Sequence, residues 1–482
     1  MDHRRKVLIT TFTVILAFSM LLSGCSDPWA GGSGEMATFT INLGGGTERL
    51  AWGPNDPPGS FPTFSDLRFE IEFTPTTAGT YEKITVDGPS SGVIQGDIEP
   101  GEYNVTLDIY FREGGGIYSY ATGSLVDDTG TLIPHVEIVS GPNTVYIKAA
   151  QTPEQGTALN PFIVYDQTTL AKVGMGTPGD WGRADRYVLM KDVPLTGSWT
   201  PICDVSNQFL GIFDGNGKTI NLGSNIITPN PSTGEFHYAG LFDTIGGGTV
   251  KNLKLEGSIN VTVSGISPTL VVGGLAALVG SGGKVENVYS SVNITARSPH
   301  ISNVGGIAGI MELGSILNCR SDGTIIANGT GSAQIGGIAG QNHDIVQFCW
   351  SEVNITAPNV ANSDTGGIVG IVRTGGTLTN CVALNNTISG GDPYGRVFGR
   401  DQGGTTINSN FANSAMSNGS GTIPGGSVSD KDGENVTPTQ ASTETWWIGT
   451  IGPTWNIQAN KSTANESNPW YWNGSRPVLW FE

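Results

Sequence analysis

"NVGGIAGIMELGSILNCRSDGTI", residues 303–325, places a glycine pair before a short aliphatic run, then a polar gap, then an Asn-Cys pair and another glycine. Its apolar residues follow neither a 3.6-residue nor a sustained two-residue period, so it suits neither an amphipathic helix nor an ordinary hairpin. The chain then repeats it. "GGIAGQNHDIVQFCWSEVNITA" begins at Gly336, "GGIVGIVRTGGTLTNCVALNNTI" at Gly366, and an earlier copy, "GGLAALVGSGGKVENVYSSVNITA", at Gly273. Gly274, Gly306, Gly337 and Gly367 are 32, 31 and 30 residues apart, a period that belongs to stacked supersecondary units.

Each unit holds β-type segments of three to five residues, too short for hairpins of their own but long enough for the sides of a coil. Thirty-odd residues complete one turn of a parallel β-helix, with corners taken by Gly, Asn, Asp and Ser. Coils stacked about 4.8 Å apart bring equivalent residues into columns, so an aliphatic position builds an apolar stripe that no single repeat could bury. Leu253, Val288, Cys319, Cys349, Cys381 and Phe411 are assigned to one such inward column. The cysteines are expected to be buried free thiols. One vertical column cannot surround a tetrahedral metal ion, and parallel Cβ vectors suit a disulfide poorly. Cys203 has no evident partner in the sequence.

The four copies resemble the GLUG motif of bacterial surface proteins. Gly305-Gly306-Ile307-Ala308-Gly309, Asn318-Cys319 and Gly323 match it best, while Phe348 and Val288 depart from its Asn and Cys. The resemblance covers about residues 156–420. It implies an adhesin-like surface protein, similar also to the non-catalytic repeat regions of immunoglobulin-cleaving metallopeptidases. The peptidase motif His-Glu-x-x-His does not occur in this sequence.

The flanking segments complete an all-β plan: an N-terminal β-sandwich, a right-handed parallel β-helix and an aromatic C-terminal cap. Residues 36–150 contain alternating stretches such as Phe69-Glu70-Ile71-Glu72-Phe73, separated by Gly, Pro and Asp turns, as expected of a sandwich. Residues 156–420 form the β-helix, with the repeats proper at about 273–400. Asp214-Gly215-Asn216-Gly217 looks like the opening of a calcium loop, but Asn225 stands where an EF-hand needs a bidentate acid, so a glycine-enabled turn is expected. Residues 421–482 comprise a loop and the Trp-rich cap. The Ser/Gly/Asn/Thr-rich stretch from about 412 to 440 is expected to be a mobile loop before that cap. Trp446, Trp447, Trp455, Trp470 and Trp472 are expected to cover the open end of the solenoid; stacking on sugar rings is the alternative use of the same residues.

The chain opens with a basic n-region at Arg4, Arg5 and Lys6 and an apolar stretch from Val7 to Leu22, the order of a secretory signal. Leu22-Ser23-Gly24-Cys25 resembles a bacterial lipobox, which implies cleavage of residues 1–24, acylation of Cys25 and a lipidated tether over residues 25–35. Three acyl chains at about 0.8 kcal/mol per buried CH₂ would anchor the chain to a lipid bilayer effectively permanently. The expected location is the cell envelope, at the outer membrane or cell surface rather than the inner membrane. A formal charge of −18 argues against nucleic acid, which requires basic patches.

The function expected is non-enzymatic adhesion to a glycan or host protein, with no cofactor, metal or catalytic residue assigned. Polysaccharide cleavage and a purely structural envelope role are the alternatives. Cleavage is disfavoured because Glu286, Glu312, Asp322, Asp344, Glu352 and Arg373 fall at different registers of their units.

Overall fold

The computed structural model describes residues 36–42 and 66–482, apart from 78, 89–92, 114–115, 130, 152–155, 159, 225–229, 232–235, 266–267, 330, 359, 361 and 391. The signal segment, Cys25 and the tether lie outside the described residues.

In the N-terminal domain the sandwich's two layers are halves of one continuous sheet. Its order is Glu82–Asp87, Leu67–Pro75, Gly101–Glu113, Gly116–Val126, Pro142–Gln151, Ala37–Asn42 and Val93–Ile98, with Val136–Ile138 paired to Gly101–Glu113. The sheet curls over its own core. Phe39 and Phe73, from separate halves, bring their ring centroids within 4.8 Å. The period-two pattern holds: Phe69, Ile71 and Phe73 are buried, while Glu70 and Glu72 pair with Lys83 on the wet face. Ile163, Val188 and Met190, from the first coils of the next domain, join this core, and Lys191 pairs with Asp66 beside them.

From residue 162 onward the chain winds into a parallel β-solenoid of about seven turns. One wall contains Gly283–Arg297, Gly314–Leu317, Ile345–Gln347 and Thr377–Thr379, stacked in parallel register. Opposite it each coil makes two arms joined at the glycine pair. The first arms are Phe236–Ala239, Thr269–Gly273, Ile301–Gly305, Ser332–Gly336, Asn362–Gly366 and Tyr394–Gly395. The second arms are Phe242–Ile245, Ala276–Val279, Ala308–Met311, Ala339–Asn342, Val369–Val372 and Phe398–Asp401. Stacked units therefore begin earlier than residue 273, with Ala239-Gly240-Leu241 acting as a shortened copy of the glycine corner.

The glycine pair is explained by how deeply that corner points into the solenoid. A Cβ at Gly337 would overlap Ser351 Oγ on the opposite wall and Gly367 O in the next coil. Ser290, Ser321 and Ser351 stack as a small-residue column facing these corners. The Asn of the Asn-Cys pair has a different task. Asn216, Asn252, Asn287, Asn318 and Asn380 all adopt left-handed backbone with φ of 50–55°, a conformation asparagine tolerates better than most residues. The last four turn the chain so that the following residue, Leu253, Val288, Cys319 or Cys381, points inward. Asn216 sits in the Asp214 turn, whose carboxylate accepts the Asn216 N–H at 2.9 Å.

The inward column contains Leu253, Val288, Cys319, Cys349 and Cys381, as expected, but it ends in Asn410 rather than Phe411. Val382 pairs with Phe411, so the residue before each of them, Cys381 and Asn410, must stack. The last coil is one residue shorter than the preceding spacing suggested, and the slip sends Phe411 outward. Asn410 is tolerated inside because its amide is satisfied: Oδ1 accepts from Cys381 N at 3.0 Å and Nδ2 donates to Leu378 O at 2.7 Å. Cys203, Cys319, Cys349 and Cys381 are buried and form no disulfide.

The aromatic segment packs along the flank of the solenoid. Its rings cover an outward column of Tyr289, Arg320, Trp350, Val382 and Phe411. Trp447 meets Trp350 at 6.4 Å and Trp446 meets Phe411 at 5.3 Å between centroids. Trp455 packs on Phe348, which occupies the asparagine corner position with φ of 53° despite its bulk. The end of the stack is closed separately. Glu434–Val436 pairs in parallel with Phe411–Asn413, and the fully buried Arg396 donates to Asp432 O, Gly433 O and Asn413 O. Within the stretch expected to be a mobile loop, this strand and the Arg396 bonds hold residues 432–436 against the last coil.

Candidate functional site

The glycine corner points inward, and the outer faces of the two arms meet beside it in a lengthwise seam whose side chains are mostly buried. The first arms contribute a column of Tyr238, Val271, Asn303, Gln334 and Asp364. The second arms contribute Leu278, Ile310, Gln341, Ile371 and Arg400. Glycine at the floor allows the close approach: a Cβ on Gly340 would stand 2.7 Å from Val304 N and 2.8 Å from Gln334 O. Four coil steps from Tyr238 to Asp364 span about 19 Å at roughly 4.8 Å per step.

The seam changes character along its length. At the N-terminal end Tyr238, Val271, Ala277, Leu278 and Ile310 form an apolar cluster separate from the solenoid core, and exposed Phe236 stacks on Tyr238 at 6.1 Å. Towards the C-terminal end it becomes polar around Gln341. Gln341 Nε2 donates to Asn303 Oδ1 at 2.6 Å and to Gln334 Oε1 at 3.3 Å. Its Oε1 accepts from Arg373 Nε at 3.2 Å and lies 3.1 Å from His343 Nε2, which assigns the proton of the neutral imidazole to Nε2. Arg400 Nη2 donates to Asp364 Oδ2 at 2.6 Å.

Burial sets the electrostatics here. It pushes the Asp364 carboxyl above its usual range, while Arg400 and the Gln334 amide oppose the shift. Burial also holds His343 below the ordinary imidazole value, helped by the positive charge of Arg373. A carboxyl whose folded pKa exceeds its unfolded one costs stability when ionised, and the cost disappears as pH falls below both values. Arg400→Gln, which removes the opposing cation, is therefore expected to destabilise the protein by about 1–2 kcal/mol at neutral pH, discounted because Arg400 is half exposed. The loss should shrink as pH falls towards 4. Thermal melting of both proteins across that range checks it, and an equal loss at every pH would remove Asp364 from the account.

Register alone hides this cluster in the sequence. Asp364, Arg373 and Arg400 stand at different positions of their units, yet the two arms fold together and bring them to one place. A signal was present: Val271, Asn303, Gln334 and Asp364 each lie two residues before the first glycine of a pair. Four of the five named tryptophans, by contrast, offer no ring faces to a ligand. Trp446, Trp447, Trp455 and Trp470 are at most 4% exposed, and of the five named residues Trp472 alone is half-buried. Packing of those four rings against the solenoid occupies the surfaces a sugar would need.

Among the described residues no group of three His, Cys, Asp or Glu side chains is placed to hold a metal ion. No family model matches the chain. A protein of Evansella cellulosilytica, provisionally named a Gly-rich membrane protein, is 35% identical over 143 residues, covering 28% of this chain and 15% of that protein. The chain thus spans a small part of the relative it matches. Among solved structures, an IgA1 protease aligns over 73% of this chain and 29% of its own length, with a TM-score of 0.35 and 13% identity.

Proposed function

We propose that this chain is a non-enzymatic, lipid-anchored protein of the bacterial cell envelope that binds an extended macromolecule, a glycan or host protein, along the outside of its solenoid. The observation that carries the reading is the outer face of the two stacked arms, where exposed Phe236 stands at one end and the partly exposed Arg373 and Arg400 at the other. Such a surface offers an apolar contact and hydrogen-bond donors to a ligand lying along it. The resemblance of the repeats to the GLUG motif supports surface display, and the name of the Evansella relative supports association with a membrane. A binding role is favoured over glycoside hydrolysis because the carboxylate of this face, Asp364, is buried and engaged by Arg400 and Gln334. Hydrolysis uses two carboxyl groups about 5–9.5 Å apart around the scissile bond.

The full chain in mild detergent, applied to an array of glycans and matrix proteins with reducing-end assays on the same glycans, tests the proposal. Saturable binding without new ends is expected; product formation abolished by a single carboxylate substitution would favour the enzyme instead. The anchor is tested separately. Cys25→Ala is expected to move the protein from the membrane to the soluble fraction, and unchanged membrane association would remove lipidation from the proposal.

A further inference from the structure

We propose that Asn473 is a self-modifying residue, whose spontaneous loss of ammonia loosens the C-terminal aromatic segment from the solenoid. In the reaction the backbone nitrogen of Gly474 gives its proton to solvent and attacks Cγ of Asn473. A C–N bond forms, and the side-chain amide takes a proton from solvent and leaves as ammonia. Water then opens the resulting five-membered imide at either carbonyl, giving aspartate or isoaspartate. The sequence holds four Asn-Gly pairs, beginning at Asn216, Asn328, Asn418 and Asn473, and the missing Cβ of glycine leaves each following nitrogen sterically open to this attack.

The folded chain restrains three of the four. Gly217 N donates to Asn252 O at 2.8 Å, and Asn216 Nδ2 is held 3.5 Å from Met190 Sδ. Asn328 ends a strand paired with the preceding coil, and a Cβ on Gly329 would stand 2.0 Å from Ser298 O. Gly419 N donates to Ser417 Oγ at 3.0 Å, while Asn418 Nδ2 donates to Tyr394 OH at 2.8 Å. Asn473 and Gly474 are both exposed, and neither the Gly474 N–H nor Asn473 Nδ2 is hydrogen-bonded among the described residues. A Cβ on Gly474 would meet nothing within 4 Å, so water reaches the attacking nitrogen. The carbonyl under attack is already polarised. Asn473 Oδ1 accepts from Ser475 N at 2.9 Å, Ser475 Oγ at 3.1 Å and Arg476 N at 2.9 Å. Negative charge develops on that oxygen as the new bond forms, and donors aimed at it in advance favour the step.

The place of the pair gives the reaction its consequence. Residues 473–476 form the turn between the antiparallel strands Trp470–Trp472 and Pro477–Leu479, closed by Asn473 N donating to Arg476 O at 3.2 Å. Trp470 and Leu479 of this hairpin belong to the aromatic cluster on the flank. Arg476 ties it to the rest of the molecule, with Nε on Glu352 Oε1 and Nη1 on Ala441 O, both at 3.1 Å. Aspartate preserves the length of the main chain, and its carboxylate accepts the same three bonds. Isoaspartate carries the main chain through Cβ and Cγ, which lengthens the turn by one methylene and shifts Arg476 against both partners. The two products therefore act in opposite ways on the hairpin.

The test ages the full chain in mild detergent at mildly alkaline pH and follows all four pairs by peptide mass mapping, with enzymatic methylation to count isoaspartate. Asn473 should convert first, at least tenfold faster than Asn216, Asn328 or Asn418. In urea the four rates should converge, because the local sequence is then the same and the folded restraints are gone. Limited proteolysis should cut the aged protein within residues 437–482 faster than the fresh protein. Asn473→Ser, which keeps an acceptor for the Ser475 N–H but cannot form the imide, should stay as resistant after ageing as before it. Conversion at Asn473 no faster than at the other three pairs would overturn the site. Aspartate as the sole product, or isoaspartate at Asn473 in a protein still as protease-resistant as the fresh one, would overturn the loosening.

Discussion

Cys349→Asp is expected to destabilise the solenoid by about 3–5 kcal/mol, the cost of an ion buried without a partner, and so to leave the repeats unfolded or close to it. Cys349 is fully buried in the column between Cys319 and Cys381, and its thiol donates to Gln347 O at 3.1 Å. A carboxylate there would face that carbonyl and Ile316 O, both acceptors, and would repel them. Burial already raises the thiol's pKa well above its ordinary value, which shows how poorly the site tolerates negative charge. Cys349→Val is the control, because Val288 occupies the same column two coils below, and a change of less than about 1.5 kcal/mol is expected. Chemical denaturation of the two variants measures the difference. Thiol reagents give a second check on the unmodified protein: Cys319, Cys349 and Cys381 should react only after unfolding, and rapid labelling of the native state would place the column outside.

The same column shows how far the sequence carries. Its period and glycine pairs are local features that stacking turns directly into three-dimensional columns, so the β-solenoid and its inward cysteines were legible residue by residue. The register failed at Phe411, where the final coil loses one residue and Asn410 takes the inward place through hydrogen bonds that no pattern of hydrophobicity announces. The tryptophans are expected over the open end of the solenoid, but they pack along its flank, while Arg396 and Glu434–Val436 close the end. Their position on the flank depends on Phe348, Trp350 and Phe411 pointing outward, which becomes visible only when the asparagine corners fix the direction of each following residue. The seam between the two arms was least legible. Its members are separated by about thirty residues, and Asn303, Gln334 and Asp364 resemble solvated polar residues until the glycine floor brings both arms together.

Arg320→Ala is expected to cost about 3–5 kcal/mol and to release the C-terminal aromatic segment from the flank. The guanidinium carbon lies 3.5 Å from the Tyr289 ring centroid and 5.1 Å from that of Trp350, so the side chain fills the gap between two coils. Its Nε also bonds both carboxylate oxygens of Glu482, at 2.9 and 3.0 Å, with side chains only 11% and 10% exposed. Burial opposes the charge on Arg320, and Glu482 more than restores it, raising the pKa above the ordinary arginine value. Truncation therefore removes two cation–π contacts and strands a nearly buried carboxylate, two losses that act on the same docking surface. Neighbouring ties, Lys251 to Glu466 and Arg476 to Glu352, are more exposed and too weak to compensate. Limited proteolysis should cut the variant within residues 437–482 before the solenoid itself. Adding Glu482→Gln should restore part of the lost stability by removing the stranded charge. A double variant no more stable than Arg320→Ala would assign the effect to lost packing over Tyr289 and Trp350, and a single variant as protease-resistant as the parent would show that the tryptophans hold the segment without the arginine.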